Sequence, residues 1–282
     1  MKQLQLVSYS TNYTGYDELK ALLDACSFAN VGVELSIFTN HPNFPGFIEE
    51  LEQQKEKFAP YYISFHGPFV KVTATAPLDS PEHQLIVDAY KESFRICNEF
   101  QGHAIVMHTN NVYDHAIGDE VLRHNCITTI KEIGEYAKDC CAQLLVENVG
   151  IKSKDNVLFP MEEFIQMFDQ LPAHIGCLID VGHAFDNGWD VPELVKRLGS
   201  RIVSYHLHNN DGVYDTHRMM FEEGLYYNKE DWKTLFTAME QYSPNADWIL
   251  EYSPRNVITA ETITNEIKEI QRMLEEIHSS MQ

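Results

Sequence analysis

From residue 62 onward, six short apolar runs each end on a side chain that can carry a proton or bind a metal. His66 follows Tyr62–Phe65, His108 follows Ala104–Met107, Glu147 follows Gln143–Val146, Asp180 follows Gly176–Ile179, His206 follows Ile202–Tyr205, and Glu251 follows Trp248–Leu250. Asp and Glu number 42 and His 13 in 282 residues, so composition alone does not put one of them at six successive run ends. Imidazoles and carboxylates are the groups that hold divalent metals and exchange protons near neutral pH. Brought together away from water, they would repel one another or lack partners unless something positive sat among them. A divalent metal centre is the economical expectation. Three further residues join the set at short range: His183 in Asp180-Val181-Gly182-His183, and Asp215 and His217 in Asp215-Thr216-His217. His208, close to His206, is expected to point to the opposite side of its extended strand and is left out. His41, His83, His103, His115, His124, His174 and His278 fall in helices or loops with no partner in view, and are expected at the surface.

Such residues converge only if the runs before them are strands of one sheet. Leu4–Val7 and Gly32–Leu35 complete a set of eight, and several are apolar at nearly every position, as strands buried on both faces are. Between them lie patterns with apolar residues spaced at three and four, the signature of one helix face. One carries Ile86, Ala89, Tyr90, Phe94 and Cys97 and starts near Ser80-Pro81-Glu82, an N-cap followed by a first-turn proline. A second holds Ile127, Ile130, Ile133 and Ala137, and the last holds Ile263, Ile267, Ile270, Leu274, Ile277 and Met281. Eight strands, each followed by a helix and with no linker between, predict a single (β/α)₈ TIM barrel over residues 1–282. In that fold the strand ends meet at one mouth, where the chemistry sits.

Composition narrows the setting. With 44% hydrophobic and 22% charged residues, the chain reads as a globular protein with a sizeable core. No apolar run reaches the length of a membrane span, and the start, MKQLQLVSYS, is too short and polar for a signal peptide, so a cytoplasmic location is expected. The six cysteines form no C-x-x-C pair and are expected as reduced thiols packed like small apolar side chains. A net charge of -21 argues against a broad nucleic-acid surface.

The segments FHGPF, VMHTN, LVENVG, CLIDVGHAFDNGWD, YHLHNNDGVYDTH and ILEYSP occur in an order and spacing that resemble the xylose-isomerase-like barrel superfamily, across nearly the whole chain. That superfamily contains sugar isomerases, sugar 3-epimerases and endonuclease IV. The resemblance to epimerase-like members implies one metal held by Glu147, Asp180, His206 and Glu251, with Glu147 and Glu251 flanking the substrate and exchanging protons with it. The resemblance to endonuclease IV implies three zincs on nine ligands: His66, His108, Glu147, Asp180, His183, His206, Asp215, His217 and Glu251. Where many members carry a glycine-rich P-G-x-G segment after the D-x-H element, this chain has Phe221 to Tyr227 instead, and Arg218 is only approximately placed for the arginine that contacts sugar.

The leading expectation is a divalent-metal-dependent isomerase or epimerase of a small sugar or sugar phosphate, with one to three zinc or manganese ions. Glu147 and Glu251 are its acid–base pair, His183 holds a substrate oxygen, and Phe69, Trp189, Tyr226 and Tyr227 are candidates to cover the apolar face of a sugar. The rival is a zinc phosphodiesterase acting on abasic DNA, in which Glu147 bridges metals; a metal-binding barrel that has lost its activity is a third reading, against which the intact acid–base pair counts, and lyase or dehydratase chemistry on the same site stays open. Nucleic acid is not the expected partner: the loop Phe38 to Gly46 has no Lys or Arg, and the loop after His66 offers only Lys71. Oligomerisation is left open.

Overall fold

Residues 3–8, 15–37, 44–253 and 258–281 are described by the computed structural model; the loop 38–43 and His41 lie outside them. The elements in chain order are β1 (Leu4–Ser8), α1 (Tyr16–Ala25), β2 (Gly32–Ser36), α2 (Phe44–Gln53), α3 (Lys55–Phe58), β3 (Ile63–His66), α4 (Pro81–Glu99), β4 (Ala104–His108) and α5 (Asp119–Ala137). There follow β5 (Gln143–Glu147), α6 (Met161–Gln170), β6 (Gly176–Asp180), α7 (Val181–Asp186), α8 (Val191–Leu198), β7 (Ile202–Leu207), α9 (Lys229–Tyr242), β8 (Asp247–Leu250) and α10 (Ala260–Met281). The eight strands are all parallel and close in chain order, β1 pairing with both β2 and β8. This is the TIM barrel that the alternating pattern predicts.

Strand alternation divides the side chains between two layers. Ile105, Leu144, Val146, Cys177, Ile179, Tyr205, Trp248 and Leu250 face outward and pack with the apolar faces of the helices. Ala104, Val106, Leu145, Leu178 and Ile249 form a separate cluster with Val203 inside the barrel, beside the buried polar Gln5, Glu34 and Ser64. Two residues beyond Val106, Leu145, Leu178 and Ile249, on the same inward face, stand His108, Glu147, Asp180 and Glu251. The apolar plug therefore forms the floor on which the polar cluster rests. Ladder pairing runs one residue further than the apolar runs: His66, His108, Glu147 and Asp180 are the last residues of their strands, and Glu251 still donates its N–H to Leu207 O at 3.1 Å. These backbones are thus held by the sheet itself.

The helices follow their expected faces with local departures. Ser80 caps α4 by accepting the N–H of His83 at 3.1 Å, with Pro81 in the first turn. On α10, Ile263, Ile267, Ile270 and Ile277 are buried, whereas Leu274 is half-buried and Met281 is exposed at the terminus, where the apolar face has no core left to cover. Of the cysteines, all free, Cys26, Cys97, Cys126 and Cys177 are buried. Cys141 instead is exposed in the turn before β5, which corrects the expectation that every thiol is packed inside. His115, His124 and His278 lie at the surface as expected, but His83, His103 and His174 are half-buried. His103 stacks on Tyr62 with ring centroids 3.8 Å apart and bonds Ile63 O through Nδ1 at 2.6 Å. Among the described residues, no helix is long and apolar enough to cross a membrane.

One buried acid ties α10 to the mouth of the barrel. Glu266, 5% exposed, accepts the backbone N–H of Met220 at 2.8 Å, in the segment that follows Asp215 and His217. Burial pushes its pKa up from 4.5 to about 7. Because the folded pKa lies above the unfolded one, the protonated acid stabilises the fold fully below about 4.5, and that contribution is lost as pH rises through about 7. Compared with Glu266→Gln, the parent protein should lose stability over this window, on the order of 3 kcal/mol in the limit. Denaturant titrations at a series of pH values check this, and a difference that does not change with pH refutes it.

Candidate metal centre

Five imidazoles at the centre are each fixed through one ring nitrogen by a backbone or side-chain acceptor. His66 donates Nδ1–H to Gly67 O at 2.9 Å, His183 to Asn148 O at 3.0 Å and His217 to Glu251 O at 3.1 Å. A carbonyl oxygen only accepts, so each of these rings carries a proton on Nδ1 and turns Nε2 to the centre, where it offers a lone pair to an ion or, without one, holds a second proton. His108 does the same through Asn111 Oδ1 at 2.7 Å, the Asn111 amide nitrogen being committed to Val72 O at 2.9 Å. His206 is turned the other way: its Nε2 donates to the fully buried Glu34 at 3.0 Å, which leaves Nδ1 facing inward. A second-sphere partner of this kind sets both the tautomer and the orientation of a metal-ligating histidine.

The inward atoms then meet at distances that neutral groups do not tolerate. His66 Nε2 and His108 Nε2 are 3.2 Å apart and lie 3.6 and 3.3 Å from Glu147 Oε2. Two nitrogens on one tetrahedral zinc, at about 2.0–2.1 Å each, stand about 3.3 Å apart, so this triangle has the dimensions of one face of a coordination tetrahedron. His206 Nδ1 lies 3.0 Å from Glu251 Oε2, 3.5 Å from Glu147 Oε1 and 4.0 Å from Asp180 Oδ2. On the third side, Asp215 places one oxygen 3.3 Å from His183 Nε2 and the other 2.9 Å from His217 Nε2. Glu147 Oε2, His206 Nδ1 and Glu251 Oε2 are buried with no hydrogen-bond partner among the described residues. Two overlapping donor groups join His66, His206 and Glu251, and His208, His217 and Glu251. Three others cover the nine candidates: His66, His108 and Glu147; Glu147, Asp180, His206 and Glu251; and His183, Asp215 and His217. These residues fit divalent ions, the second group being rich in oxygen and the other two richer in nitrogen.

The local field points the same way. Burial depresses the His206 pKa, but Glu251, Glu34 and Glu147 outweigh it and hold the ring well above its ordinary value. Burial likewise opposes, and Asp215 with Glu251 overcomes, at His217, which is carried up to about 9. Glu147, pushed up by burial, is drawn well below the carboxylate range by His108 and His206. Without a metal, histidine protons stand where the cations would.

A small cavity of about 170 Å³ opens over this cluster, between Ser36, Phe69 and the ligands. The profile of the xylose isomerase-like TIM barrels matches residues 17–277. The chain belongs to that family. Among curated relatives, it is 23% identical over 168 residues to an uncharacterized protein of Methanocaldococcus jannaschii, a match covering 58% of this chain and 56% of that one. Among solved structures, it is similar to a D-tagatose 3-epimerase-like protein, with a TM-score of 0.75, 18% identity and 99% and 100% of the two chains covered. It is also similar to the IolI protein with a bound zinc atom (TM-score 0.72, 16% identity, 99% and 98% covered). A third similar structure is D-psicose 3-epimerase from Clostridium cellulolyticum H10 with D-tagatose (TM-score 0.67, 13% identity, 94% and 89% covered).

In this xylose isomerase-like barrel, all nine of the histidine, aspartate and glutamate candidates fall within the three donor groups. His208 has to be corrected. Residues two apart on a strand share a face, so His208 follows His206 inward. It is fully buried, with Nε2 3.1 Å from each oxygen of Asp180, and stacks on His217 at 3.8 Å. Gly182 makes room for it, since a Cβ there would come within 2.0 Å of its ring. Phe69 lies at the site, its ring centroid 5.2 Å from both His66 and His108. Trp189 and Arg218 do not line the cavity. Trp189 is half-buried and packs on Phe164 at 5.8 Å, where an indole gains more from apolar contact than beside charged ligands. Arg218 forks onto Glu222 one turn on, which satisfies its charge locally. Tyr227 stacks on Phe185 at 3.5 Å, and Tyr226 is 52% exposed. Glu34, within β2 rather than after it, is the ligand-orienting residue that the pattern of strand ends does not pick out.

Replacing Glu34 by Gln keeps the shape and removes the charge that orients His206. Metal affinity should fall about ten- to a hundredfold, measured by competition with a chelating dye. Unaltered affinity in a folded Glu34→Gln protein removes Glu34 from this role.

Proposed function

We propose that the chain is a divalent-metal-dependent isomerase or epimerase acting on a small sugar or sugar phosphate. The observation that carries this reading is the approach of Glu251 and Glu147, from β8 and β5, to the same His206 nitrogen at 3.0 and 3.5 Å, with Asp180 alongside. Two carboxylates at one point can divide the work of a proton transfer: one takes the proton from the carbon beside a carbonyl, and the other returns a proton to that carbon or its neighbour. An ion held by Glu147, Asp180, His206 and Glu251 would polarise the carbonyl and make the adjacent C–H acidic. His183, which lines the cavity, would hold a substrate hydroxyl through Nε2 where no ion sits between it and Asp215, and Phe69 would form an apolar wall. The similarity to an epimerase solved with D-tagatose and to a zinc-containing barrel supports the same reading.

A second reading has its own observation. Glu147 belongs to two donor groups, with one oxygen near His66 and His108 and the other near His206. A shared carboxylate of that kind suits a multinuclear zinc phosphodiesterase of the endonuclease IV type. Metal content per chain and incision of an abasic-site duplex separate the two. The expected result is epimerised or isomerised ketose and no incision at physiological salt.

Glu147→Gln and Glu251→Gln should each reduce turnover of the identified sugar by about a hundred- to ten-thousandfold while leaving the protein folded. Near-normal turnover in either variant removes that residue from the acid–base pair. Chelation should abolish activity and lower stability by at least about 2 kcal/mol where the ion had been present at about a hundred times its dissociation constant, because the ligand favours only the folded state. Melting that does not respond to chelator, in protein shown to carry metal, refutes the linkage.

A further inference from the structure

A second cavity, of about 340 Å³, adjoins the metal centre and shares Phe69, His108, His183 and Asp215 with the smaller one. Beyond the centre, its charged lining residues are Lys71, in the loop after β3, and Lys154, in the loop after β5. Its one carboxylate, Asp215, is already engaged by His183 and His217. Lys57, Lys138 and Lys233 are ion-paired elsewhere on the surface, at 2.6–2.9 Å. Lys71 and Lys154 are both exposed and, like Lys55, Lys91, Lys131, Lys152 and Lys268, form no ion pair among the described residues; what sets these two apart is that they line this cavity beside the metal centre. Val149 and Ile151 add apolar walls that strengthen whatever electrostatics the cavity provides.

We propose that this cavity is an anion subsite, in which Lys71 and Lys154 receive the phosphate or carboxylate at one end of a small substrate whose reacting end lies at the metal centre. The proposal rests on the cluster being the reaction centre. It assigns the cavity to a compact anion rather than to a nucleic-acid backbone, because a strand needs a track of positive charges and this cavity offers two. Lys71 and Lys154 come from different loops, so an anion between them would bridge the mouth of the barrel. Lys71 has a φ of 63°, in the left-handed region, so Asn, which tolerates that conformation, is the substitution that removes charge with least strain.

Alditols test the subsite without turnover, because they lack the carbonyl. Binding of sorbitol, ribitol, their terminal phosphates, and gluconate and ribonate to the metal-loaded protein is measured calorimetrically at low and high salt. At least one phosphate or aldonate should bind about tenfold or more tightly than its neutral parent, the scale of a hydrogen bond to a charged group. The advantage should shrink with salt. It should vanish in Lys71→Asn/Lys154→Gln and persist in Lys152→Gln, which lies in the same turn as Lys154 but does not line the cavity. Metal content and melting temperature should match the parent in every variant. The series that shows the advantage identifies the anion as phosphate or carboxylate. An advantage that survives the double variant means the anion binds the metal directly, and it overturns the proposal, as does the absence of any advantage. Tighter lysine-dependent binding of an abasic duplex than of any alditol derivative overturns the small-substrate assignment. Lysine-dependent anion binding without turnover of any ketose keeps the subsite and removes the isomerase reading; turnover of neutral ketoses without anion preference does the reverse.

Discussion

A surplus of buried negative charge governs the mouth of this barrel. Glu34, Glu147, Asp180 and Glu251 are at most 5% exposed, and Asp215 stands beside them. Among the described residues, no lysine or arginine is ion-paired with any of the five. Buried ions without compensation cost several kcal/mol each, so these carboxylates persist only with positive charge among them. That charge comes from histidine protons, from divalent ions, or from both. One divalent ion offsets two of the five charges and leaves the rest to imidazolium; further ions displace those protons in turn. Metal number and histidine protonation are therefore two aspects of one balance, and binding of each ion must release protons.

The rest of the architecture makes that surplus directional. Backbone carbonyls of Gly67, Asn148 and Glu251 and the side chains of Asn111 and Glu34 each take one ring proton, so five imidazoles point their other nitrogens at the same small volume. These carbonyls belong to the residues directly after β3, β5 and β8, and the apolar plug lies below them. Ser64 Oγ, 2.8 Å from Gln5 Oε1 and 3.0 Å from Glu34 Oε2, carries the polar network one layer deeper, where Glu34 would otherwise face hydrocarbon. The floor of the site is thus part of its electrostatics.

The barrel is plain in the chain because short, nearly all-apolar runs alternate with segments whose apolar residues recur at three and four. The donors are plain for the same reason: a residue after an apolar run in a parallel barrel has only one place to go. What stays hidden is whatever depends on geometry between units. Glu34 reads as one polar residue within an apolar strand until β7 is known to set His206 against it. The fate of His208 follows from strand alternation alone, once the period is applied correctly. Trp189, Tyr227 and Arg218 sit close to ligands in sequence, but local partners, Phe164, Phe185 and Glu222, claim them first. Lys154 is in a short turn without pattern, and only the folding of two loops toward one cavity sets it with Lys71.

Charge also constrains what can reach the centre. A chain with a net charge of -21 repels anions at long range, and a polyanion meets that field over its whole length. At physiological ionic strength the field is screened beyond about 8 Å, so a small ligand at the mouth responds mainly to nearby groups. There the balance differs: Lys71 and Lys154 line the cavity, beside the donor groups that would hold cations. With the proposed anion subsite, an acidic protein built this way would discriminate by size among molecules of the same sign. It would disfavour an extended phosphate backbone, while a short molecule with one anionic end would enter with that end on the lysines and its polar remainder toward the ligands.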